Sequence, residues 1–492
     1  MAGIALLNRL WSERNRYTVN MPEGFGNRHG VTIASTLSCV ALLTVTASCS
    51  RSTTPLAAVG STGAAVAMPE AASRPAPVPG KLITGADTFG DWTTDAPGVR
   101  RKITVNDLPP PFSSNSANNG PHVVAQPNGA WPKVMTGFTI ERWATGLRNP
   151  RKLVTSPNGD IFVSESEGHS VEVLRDSKGT GKPDVHEVFA TDLPLPFGIA
   201  FYPAGPNPKW VYVACTDRVV RFPYQNGDLH ARGPAETIVD DIPGYGRLRG
   251  GGHWTRDLVF SADERRMYVS VGSRTNVDER DEESERKRAL IYTFTPEGKD
   301  PGIYAYGIRN PVGLAIQPGS GTLWTSVNER DGLGDNLPPD YITHVEKGGF
   351  YGWPWYYIGP HPDPRKEGMH PELRDKVIVP DVLLEAHYAS LNLTFYTAKK
   401  FPTEFQNGIF ACEHGSWNRA RRTGYSVIFV PIKDGKATGE FDDFVTGFVA
   451  DDGAVWGRPV GITVAQDGAL LFSDDGTNSI WRVTYTGKPG AK

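Results

Sequence analysis

The stretch IRNPVGLAIQPGSGTLWTSVNERDGLGD, residues 308–335, decides the fold. It begins with a polar turn that contains a proline, continues through two short apolar runs separated by a Gly/Pro turn, and ends in small and acidic residues. Both runs are bounded by turn residues, and neither is long enough to show a helical period. The stretch therefore predicts a hairpin of two short β-strands.

The same unit occurs six times along the chain, with the other copies beginning at Asn149, Leu195, His253, Leu391 and Arg458. Successive copies start roughly fifty to eighty residues apart, a spacing typical of propeller blades with loop insertions on one face. We therefore predict an all-β, six-bladed β-propeller with one blade per copy. Two separate β-sandwiches are the alternative, since strands of these lengths build them as well.

Composition narrows the function classes. The 492 residues carry a formal net charge of only −3, and 21% of them are charged. A balance of this kind does not indicate a nucleic-acid-binding protein, so any electrostatic argument has to be local. The one dense charged run, DERDEESERKR at residues 278–288, predicts a solvent-exposed loop.

The first part of the chain has the pattern of an export signal. An apolar stretch from Val31 to Val45 is too short to span a bilayer comfortably but has the length of a signal-peptide core. The sequence Thr-Ala-Ser-Cys that follows, ending at Cys49, resembles a bacterial lipobox except at its first residue. We predict a signal peptide at residues 1–48, with Met21 as an alternative start, and a periplasmic protein anchored through acylated Cys49. Secretion without lipidation is the alternative.

The remaining chain divides by composition. We predict a Ser/Ala/Pro-rich tether at residues 49–85, an extension that packs on the propeller at 86–136, the propeller itself at 137–486 and a tail at 487–492. Cys215 and Cys412 are the cysteines of the propeller. Both lie in strand-like apolar runs of different copies, which favours two buried free thiols over a disulfide bond.

Candidate binding residues come from the point where each copy enters its first strand. The inner strands of a propeller line the central channel, and ligands usually bind at its mouth. Basic side chains at this point predict a cationic pocket for a polycarboxylate or a phosphate. The alternative is that each arginine caps a turn or pairs with a carboxylate of the next blade. The residues at this point are Arg151, Pro196, His253, Arg309, Ser390 and Arg458.

Two further motifs indicate chemistry. Three glycines, Gly250 to Gly252, precede His253 and would allow a ligand or backbone to approach closely. A histidine held by structural hydrogen bonds is the alternative. The segment NERDGLGD, residues 328–335, combines carboxylates, an amide and glycines, which suits calcium, although Asp-Gly pairs are also ordinary turns.

Several long motifs follow one another in a fixed order: GGGHWTRDLVF, YGIRNPVGLAI, NERDGLGDNLPPDY, GGFYGWP, HYASLNLTFY, EHGSWNR and WGRPVGI. In this combination the chain, from about Asp87 to Tyr485, resembles the glucose/sorbosone dehydrogenases, soluble quinoproteins that bind pyrroloquinoline quinone (PQQ). It most closely resembles the sorbosone dehydrogenase branch. The resemblance implies a six-bladed propeller in which PQQ, a tricarboxylate, lies across the channel mouth between arginines and a calcium ion.

The resemblance also implies residue roles. His253 matches the catalytic base, and Arg309, also catalytic, would stabilise negative charge on the quinone. Arg330 and Asp331 would give backbone carbonyls to Ca²⁺, with the Asp335 carboxylate holding the loop. The implied cofactor-binding residues are Arg309, Asn310, Trp417, Asn418, Arg419 and Arg458.

The implied reaction is oxidation of a sugar, a sorbosone-like sugar aldehyde or an alcohol by hydride transfer to PQQ. Neutral His253 would remove the proton, so activity should fall as the pH drops through about 6.5. Electrons would pass to a separate acceptor, a quinone or a cytochrome, and any membrane contact would come through the lipid anchor. Ser273 stands where the glucose enzymes have an aspartate that orients the histidine, which leaves the positioning of His253 open.

Two functions of other classes remain as alternatives. The first is a calcium-dependent, lactonase-like hydrolase, because propellers with a central metal also do that work and the fold alone does not decide. It would place several carboxylate and amide ligands at the channel centre. The second is a non-catalytic binding propeller.

Overall fold

The computed structural model describes residues 78–244 and 252–487, which belong to one compact unit, Pro75–Lys492. The predicted signal peptide, Cys49, most of the tether, Gly250, Gly251 and nearly all of the tail lie outside the described residues. Within these residues no helical segment has the length and hydrophobicity needed to cross a membrane. The helices that are described are short 3₁₀ segments: Gly85–Thr88, Val105–Asp107, Glu283–Glu285, Pro371–Lys376 and Thr403–Phe405.

Strands make up the rest of the regular structure, so the prediction of an all-β propeller is confirmed. Each repeated segment of the sequence forms the first two strands of an antiparallel sheet, and five of these sheets are four-stranded blades. Blade 1 has Pro150–Thr155, Ile161–Glu165, Ser170–Arg175 and Val185–Ala190. Blade 2 has Gly198–Tyr202, Trp210–Ala214, Val219–Pro223 and Glu236–Val239. Blade 3 has Leu258–Phe260, Met267–Val271, Leu290–Phe294 and Gly302–Tyr306.

The last two regular blades follow the same plan. Blade 4 has Pro311–Ile316, Leu323–Val327, Pro339–His344 and Val382–Ala386. Blade 5 has Pro459–Val464, Leu470–Asp474, Ser479–Tyr485 and, from before blade 1, Phe138–Ala144. Pairing of Phe138 with Tyr485 in this blade joins the two ends of the propeller, which closes the ring.

The prediction of six blades is wrong in its count. The structure describes five four-stranded blades, and the segment from Leu391 belongs instead to a seven-stranded sheet, here called the composite sheet. The extension supplies its added strands, which pair along the edge that the last propeller strand would otherwise leave open. Its strands are Ser390–Phe395, Ile409–Glu413, Ser426–Val430 and Phe441–Thr446, with Arg100–Arg101 and Lys133–Val134 from the extension and Leu82–Ile83 from the end of the predicted tether. Two small hairpins, Tyr356–Tyr357 with His361–Pro362 and Ile432–Lys433 with Lys436–Ala437, lie in connecting loops.

A buried ion network attaches the extension to the composite sheet. The Arg101 guanidinium, 1% exposed, donates to Asp95 and Asp443 at 2.8 Å each and lies 3.5 Å from Glu385. Burial raises the pKa of both aspartates, and the positive charge of Arg101 opposes that rise. Arg101 therefore faces three buried carboxyl groups where the extension meets the propeller, and Arg419 is a second guanidinium that contacts one of them, Glu385.

Neighbouring inner strands touch at the channel axis. A Cβ at Gly461 would lie 2.0 Å from the carbonyl oxygen of Arg151, so only glycine allows this approach. Three other inner strands carry a polar side chain at the corresponding place: Lys152 Nζ lies 2.6 Å from Asp257 Oδ2, and Asn392 Nδ2 lies 3.5 Å from the same oxygen. These side chains are buried, and the Asp257 carboxylate joins the three strands.

A hydroxyl on the second strand fastens each of four inner strands. Two of these serines also donate to the neighbouring sheet, from Ser326 to Leu391 O and from Ser473 to Arg151 O. Cys412 has the corresponding position in the composite sheet, with Sγ 3.7 Å from Gly461 O. The hydroxyls of Ser164, Ser270, Ser326 and Ser473 accept from the N–H groups of Lys152, Asp257, Gly313 and Gly461. Cys215 and Cys412 are both buried and free, so the prediction of two free thiols is confirmed.

Replacing Cys412 with serine is expected to change the free energy of unfolding by less than about 1 kcal/mol. The new hydroxyl can donate to Gly461 O, just as Ser326 and Ser473 donate to a carbonyl of the next sheet. Cys215→Ser is the matched control: Cys215 lies in an apolar cluster with Val213 and Phe222. A hydroxyl without a partner there is expected to cost about 1–3 kcal/mol. Urea unfolding of the two variants measures the difference, and an equal loss in both would contradict this account.

Candidate active site at the channel mouth

The inner strands start at one end of the ring, and four of them begin with a register shift. The shift lies between Pro150 and Leu153 in blade 1 and at the corresponding point of blade 4, the composite sheet and blade 5. Relative to the proline of its own strand, Arg151 comes one residue after, Arg458 one before and Arg309 two before. The expectation that these arginines are equivalent in the repeat is therefore wrong, since a bulge re-aims each side chain separately.

A basic cluster lies where blade 1, the composite sheet and blade 5 meet. Arg151 Nη1 donates to Asp475 Oδ2 at 2.5 Å, and His414 Nε2 lies 3.0 Å from Asp475 Oδ1. Arg458 Nη2 lies 3.0 Å from His414 Nδ1. Because a guanidinium can only donate, Nδ1 accepts and Nε2 carries the proton that is donated to Asp475. His414 is thus a neutral bridge between Asp475 and Arg458.

The charges of this cluster do not cancel. Burial would raise the pKa of the Asp475 carboxyl, but His414, Arg458 and Arg151 hold it below its usual range. Burial and the charge of Arg458 lower the pKa of His414 to about 4. Two arginines therefore face one carboxylate, and the buried Nε atoms of both lack a hydrogen-bond partner among the described residues. An excess of positive charge with unused donors favours an anionic ligand.

An apolar layer lies next to this cluster. Phe197, Val312, Leu391 and Val460, one from each of four inner strands or the residue preceding it, pack together and are nearly inaccessible. The Arg151 guanidinium lies over two aromatic rings, 5.8 Å from the centroid of Phe197 and 5.3 Å from that of Trp254. A cationic cluster thus lies beside a buried apolar layer, here called the apolar floor, and this combination suits a flat aromatic molecule that carries negative charge.

His253 lies beside Trp254 on the blade 3 side of the mouth and is oriented by the backbone. Its Nδ1 is 2.8 Å from the carbonyl oxygen of Ser273 and 3.2 Å from the Ser273 hydroxyl, which donates to Thr275 O. A carbonyl can only accept, so Nδ1 carries the proton and Nε2 presents the lone pair. The backbone carbonyl of Ser273 is therefore the group that orients the His253 ring.

The environment keeps the His253 imidazole neutral. Burial and the nearby charge of Arg309 lower its pKa to about 3, against the weaker opposing effect of the Ser273 carbonyl. The expected loss of activity near pH 6.5 therefore does not match this site. The backbone of Gly272 packs closely against the base of this side chain, since a Cβ at Gly272 would lie 2.6 Å from His253 Cβ.

Arg309 is held by protein acceptors on every side. Its Nε donates to Asn276 O, Nη1 to Asn328 O and Glu329 O, and Nη2 to Asn276 Oδ1 and Asp331 Oδ2. The longest of these bonds is that to Asp331, at 3.4 Å. The structure thus gives Arg309 the role of a brace between two loops, and its influence on the mouth is through its charge. Asn310, by contrast, has a buried Oδ1 without a partner among the described residues.

The predicted calcium loop follows directly. The Asp331 carboxylate lies between Arg309 and His387, and these contacts hold its pKa below the usual value although burial would raise it. Its carbonyl accepts from Asn276 Nδ2 at 2.8 Å and keeps a second lone pair. Arg330 pairs with Asp363 at 3.0 Å, and the Asp335 carboxylate accepts from Ala420 N, which ties the loop down.

This arrangement suits a cation bound by carbonyl oxygens. Across residues 78–244 and 252–487, no group of three or more His, Cys, Asp or Glu side chains comes together as a metal site. A hydrolase centre built on side-chain carboxylates would need such a group. Carbonyl oxygens are ligands that calcium accepts, and its remaining positions can be filled by water or by a bound ligand.

The other predicted cofactor residues lie in a different setting. Arg419 donates to Glu385 at 2.7 Å, to Gly90 O and to Asn336, so its guanidinium belongs to the ion network of the extension. Asn418 accepts from Gly332 N and donates to Ala117 O, and it thereby ties the calcium loop to the extension. Trp417 is 45% exposed and presents its ring to solvent.

Sequence reasoning missed His414, Asp475 and Asn276 as site residues. His414 lies in the motif EHGSWNR, of which only the tryptophan, the asparagine and the arginine were predicted to bind the cofactor. Asp475 stands in an ordinary SDDG turn, and Asn276 in a run without any metal or catalytic pattern. Only the fold brings the first two together from different sheets.

Comparisons with known proteins agree with this picture. Residues 132–343 and 367–486 match the family model described as TrAA12-like. An uncharacterised protein of Borreliella burgdorferi is 28% identical over 365 residues, which cover 72% of this chain and 90% of that protein. A pyrroloquinoline quinone-dependent pyranose dehydrogenase of Coprinopsis cinerea is 23% identical over 411 residues, covering 70% of this chain. The chain spans 53% of the length of that dehydrogenase.

Solved structures share the fold. The holo form of the PQQ domain of pyranose dehydrogenase from Coprinopsis cinerea aligns with a TM-score of 0.60 and 21% identity, covering 73% of this chain and 98% of that domain. A calcium structure of a family AA12 carbohydrate-active enzyme from Trichoderma reesei aligns with a TM-score of 0.60 and 21% identity, covering 75% and 99%. At these identities the likeness supports the architecture.

Proposed function

The chain belongs to the TrAA12-like family, a member of the soluble PQQ glucose dehydrogenase-like group, and from this premise we propose that it is an oxidoreductase that oxidises a sugar with bound PQQ. The observation that carries the proposal is the mouth itself, where Arg151 and Arg458 have unused buried donors beside an apolar floor. PQQ is flat, aromatic and tricarboxylic, so it matches both features. The pyranose dehydrogenase relative, which is named for PQQ, supports the same cofactor.

The residues of the mouth divide the work. Bound PQQ would supply a hydride acceptor, and a bound calcium ion would supply Lewis acidity. His253 Nε2 removes the proton of the substrate hydroxyl, since it has no hydrogen-bond partner among the described residues and the Nδ1–H is fixed by Ser273 O. Arg151 and Arg458 would bind carboxylates of PQQ, and Asn310 would offer a buried amide oxygen. The charge of Arg309 would stabilise negative charge that develops on the quinone.

Calcium would be held by the carbonyls of Arg330 and Asp331, in the loop that Asp335 ties down. The arginines at the mouth, with no carboxylate-rich group among the described residues, favour the dehydrogenase over the lactonase-like hydrolase. A non-catalytic binding propeller would not need a histidine at the mouth with a fixed Nδ1–H and an Nε2 that has no partner among the described residues.

The substrate, the electron acceptor and the location are proposed from the sequence. We propose a sugar, a sorbosone-like sugar aldehyde or an alcohol as the substrate, a separate quinone or cytochrome as the electron acceptor, and a periplasmic location with Cys49 as the lipid anchor. Mass spectrometry of the mature protein, with Cys49→Ser as control, tests the anchor.

Reconstitution tests the function. The purified protein is mixed with PQQ and CaCl₂, PQQ binding is followed by absorbance, and dye reduction is measured with aldoses, sugar aldehydes and alcohols. We expect Arg458→Gln to weaken PQQ binding at least about tenfold, the value of one charge-assisted hydrogen bond. Arg232→Gln, an exposed arginine that pairs with Asp228, should bind PQQ like the wild type. No spectral change and no dye reduction with any substrate would defeat the proposal.

The pH dependence follows from the lowered pKa of His253. The base stays neutral down to a pH of about 3, so kcat is expected to show no acid limb near 6.5. Stability behaves differently: because the folded pKa lies below the unfolded value, the unfolded chain takes up the proton first, and His253 lowers the free energy of unfolding as the pH falls from about 6.5. Steady-state rates from pH 4 to 8 check the first point. A fall to half activity near pH 6.5 would show that the imidazole is not shielded.

A further inference from the structure

A buried carboxylate stabilises the turn that follows the second strand of blade 3. Glu285, only 7% exposed, accepts from Arg274 N, Thr275 N and the Thr275 hydroxyl at 2.5–2.9 Å. Asp278 is buried as well, and its carbonyl accepts from Lys366 Nζ at 2.6 Å. The charged run 278–288 is therefore not simply a solvent-exposed loop as predicted, because two of its carboxyl groups face inward.

Asn276 stands in this turn and makes five hydrogen bonds. Its Oδ1 accepts from Arg309 Nη2 at 2.9 Å and from Asp331 N at 2.8 Å, and its Nδ2 donates to Asp331 O at 2.8 Å. Its backbone carbonyl accepts from Arg309 Nε at 3.1 Å and from Trp353 Nε1 at 2.9 Å. The side-chain amide of Asn276 thus uses both its oxygen and its nitrogen, which bind the backbone N–H and the backbone carbonyl of Asp331.

These contacts connect three parts of the mouth. The turn that contains Asn276 begins at Ser273, whose carbonyl orients His253. Arg309 extends from the same amide to the carbonyls of Asn328 and Glu329, so the loop before Asp331 is fixed by it. A small change in the position of Asn276 would therefore move the base, the guanidinium and the candidate calcium carbonyl together.

We propose that Asn276 is a positioning residue that holds the Arg309 guanidinium and the Asp331 carbonyl as one rigid unit beside His253. The part of this inference that concerns calcium and turnover depends on the proposed function. The part that concerns the order of Arg309 does not, because it concerns contacts within the protein alone.

Two substitutions separate the contacts. Asn276→Ala removes all three side-chain bonds and keeps those of the backbone carbonyl. Asn276→Asp keeps the acceptor for Arg309 and for Asp331 N and removes the donor to Asp331 O. Asn226→Ala is the matched control, since that side chain donates to Pro206 O in a turn of blade 2 and makes no other hydrogen bond to the part of the chain that the structure describes. Urea unfolding establishes that each variant remains folded.

The first measurement is NMR of the ¹⁵N-labelled protein without calcium or PQQ. The Arg309 guanidinium signals, assigned with Arg309→Lys, should be sharp and separate in the wild type and in Asn276→Asp, and should broaden and merge in Asn276→Ala. Equal sharpness in Asn276→Ala would overturn the inference. Broadening in Asn276→Asp to the same degree as in Asn276→Ala would do so too, because the retained acceptor would then have no effect.

The second measurement is titration of EDTA-treated protein with CaCl₂, followed by turnover with PQQ. Asn276→Ala should raise the dissociation constant of calcium and lower kcat by about 10- to 100-fold, the usual effect of losing a residue that orients a ligand, with little change in KM. Wild-type affinity and kcat in this variant would contradict the inference. If the wild type itself binds no calcium, the proposed function fails, and the Arg309 signals alone decide the role of Asn276.

Discussion

Replacing His253 by asparagine is expected to lower kcat by about 10²- to 10⁴-fold, the contribution of one general base. Asparagine keeps the approximate size of the side chain and can still donate to the Ser273 carbonyl, but it has no basic nitrogen where Nε2 stands. PQQ affinity should change little, since the cluster of Arg151, His414 and Arg458 lies on another part of the rim. Single-turnover reduction of PQQ after addition of substrate measures the effect without interference from the acceptor.

Ser273→Ala is the informative control for this experiment. The structure assigns the orientation of His253 to the carbonyl of Ser273, with the hydroxyl 0.4 Å farther away at 3.2 Å against 2.8 Å. Loss of the hydroxyl should therefore cost at most about tenfold in kcat, the value of one neutral hydrogen bond. A loss as large as that of His253→Asn would mean that the hydroxyl, and not the backbone, positions the base. Full turnover of His253→Asn would remove His253 from the mechanism.

Replacing Arg101 by methionine is expected to lower the free energy of unfolding by about 3–5 kcal/mol. The substitution leaves Asp95, Glu385 and Asp443 buried without the guanidinium that faces all three. Carboxyl groups in this position must either take up protons or draw in water, and both loosen the attachment of the extension. Urea unfolding gives the free energy, and limited proteolysis between residues 102 and 132 reports local release of the extension.

Arg100 provides the matched control, because it lies next to Arg101 on the same strand. Its side chain is 39% exposed and pairs with Asp442 at 2.6 Å, and the Asp442 side chain is 5% exposed. Water reaches the Arg100 end of this pair and only one carboxyl group loses its partner, so Arg100→Met should cost about 1–2 kcal/mol, less than Arg101→Met. Equal losses for the two variants would show that burial of the network does not matter.

The sequence was a good guide to the inner hairpins and a poor one to what lies outside them. Runs such as PVGLAI and TLWTSV predict strands because their residues suit a pleated, buried surface and turns bound them on both sides. The composite sheet was not predictable in this way. Arg100–Arg101 and Lys133–Val134 are too short to show any periodicity, and they become strands only because an open sheet edge accepts them.

The site shows the same division. Position in the repeat singled out Arg151, His253, Arg309 and Arg458 as candidates, but it did not reveal that the arginines differ in register or which of their donors remain unused. Arg309 has none in this structure, whereas Arg151 and Arg458 keep theirs. Such a difference depends on partners that lie far along the chain, such as Asp475 for Arg151, 324 residues away. His414 and Asn276 were missed for the same reason.

The contacts of Lys152 and Asn392 with the Asp257 carboxylate have a consequence for the way the sheets separate. Lys152 lies in blade 1, Asn392 lies in the composite sheet, and Leu314 N of blade 4 donates to the same carboxylate. Loss of any one of these sheets would leave buried charged or polar groups without their partners. The inner strands are therefore expected to come apart together, in one cooperative transition, and not one blade at a time.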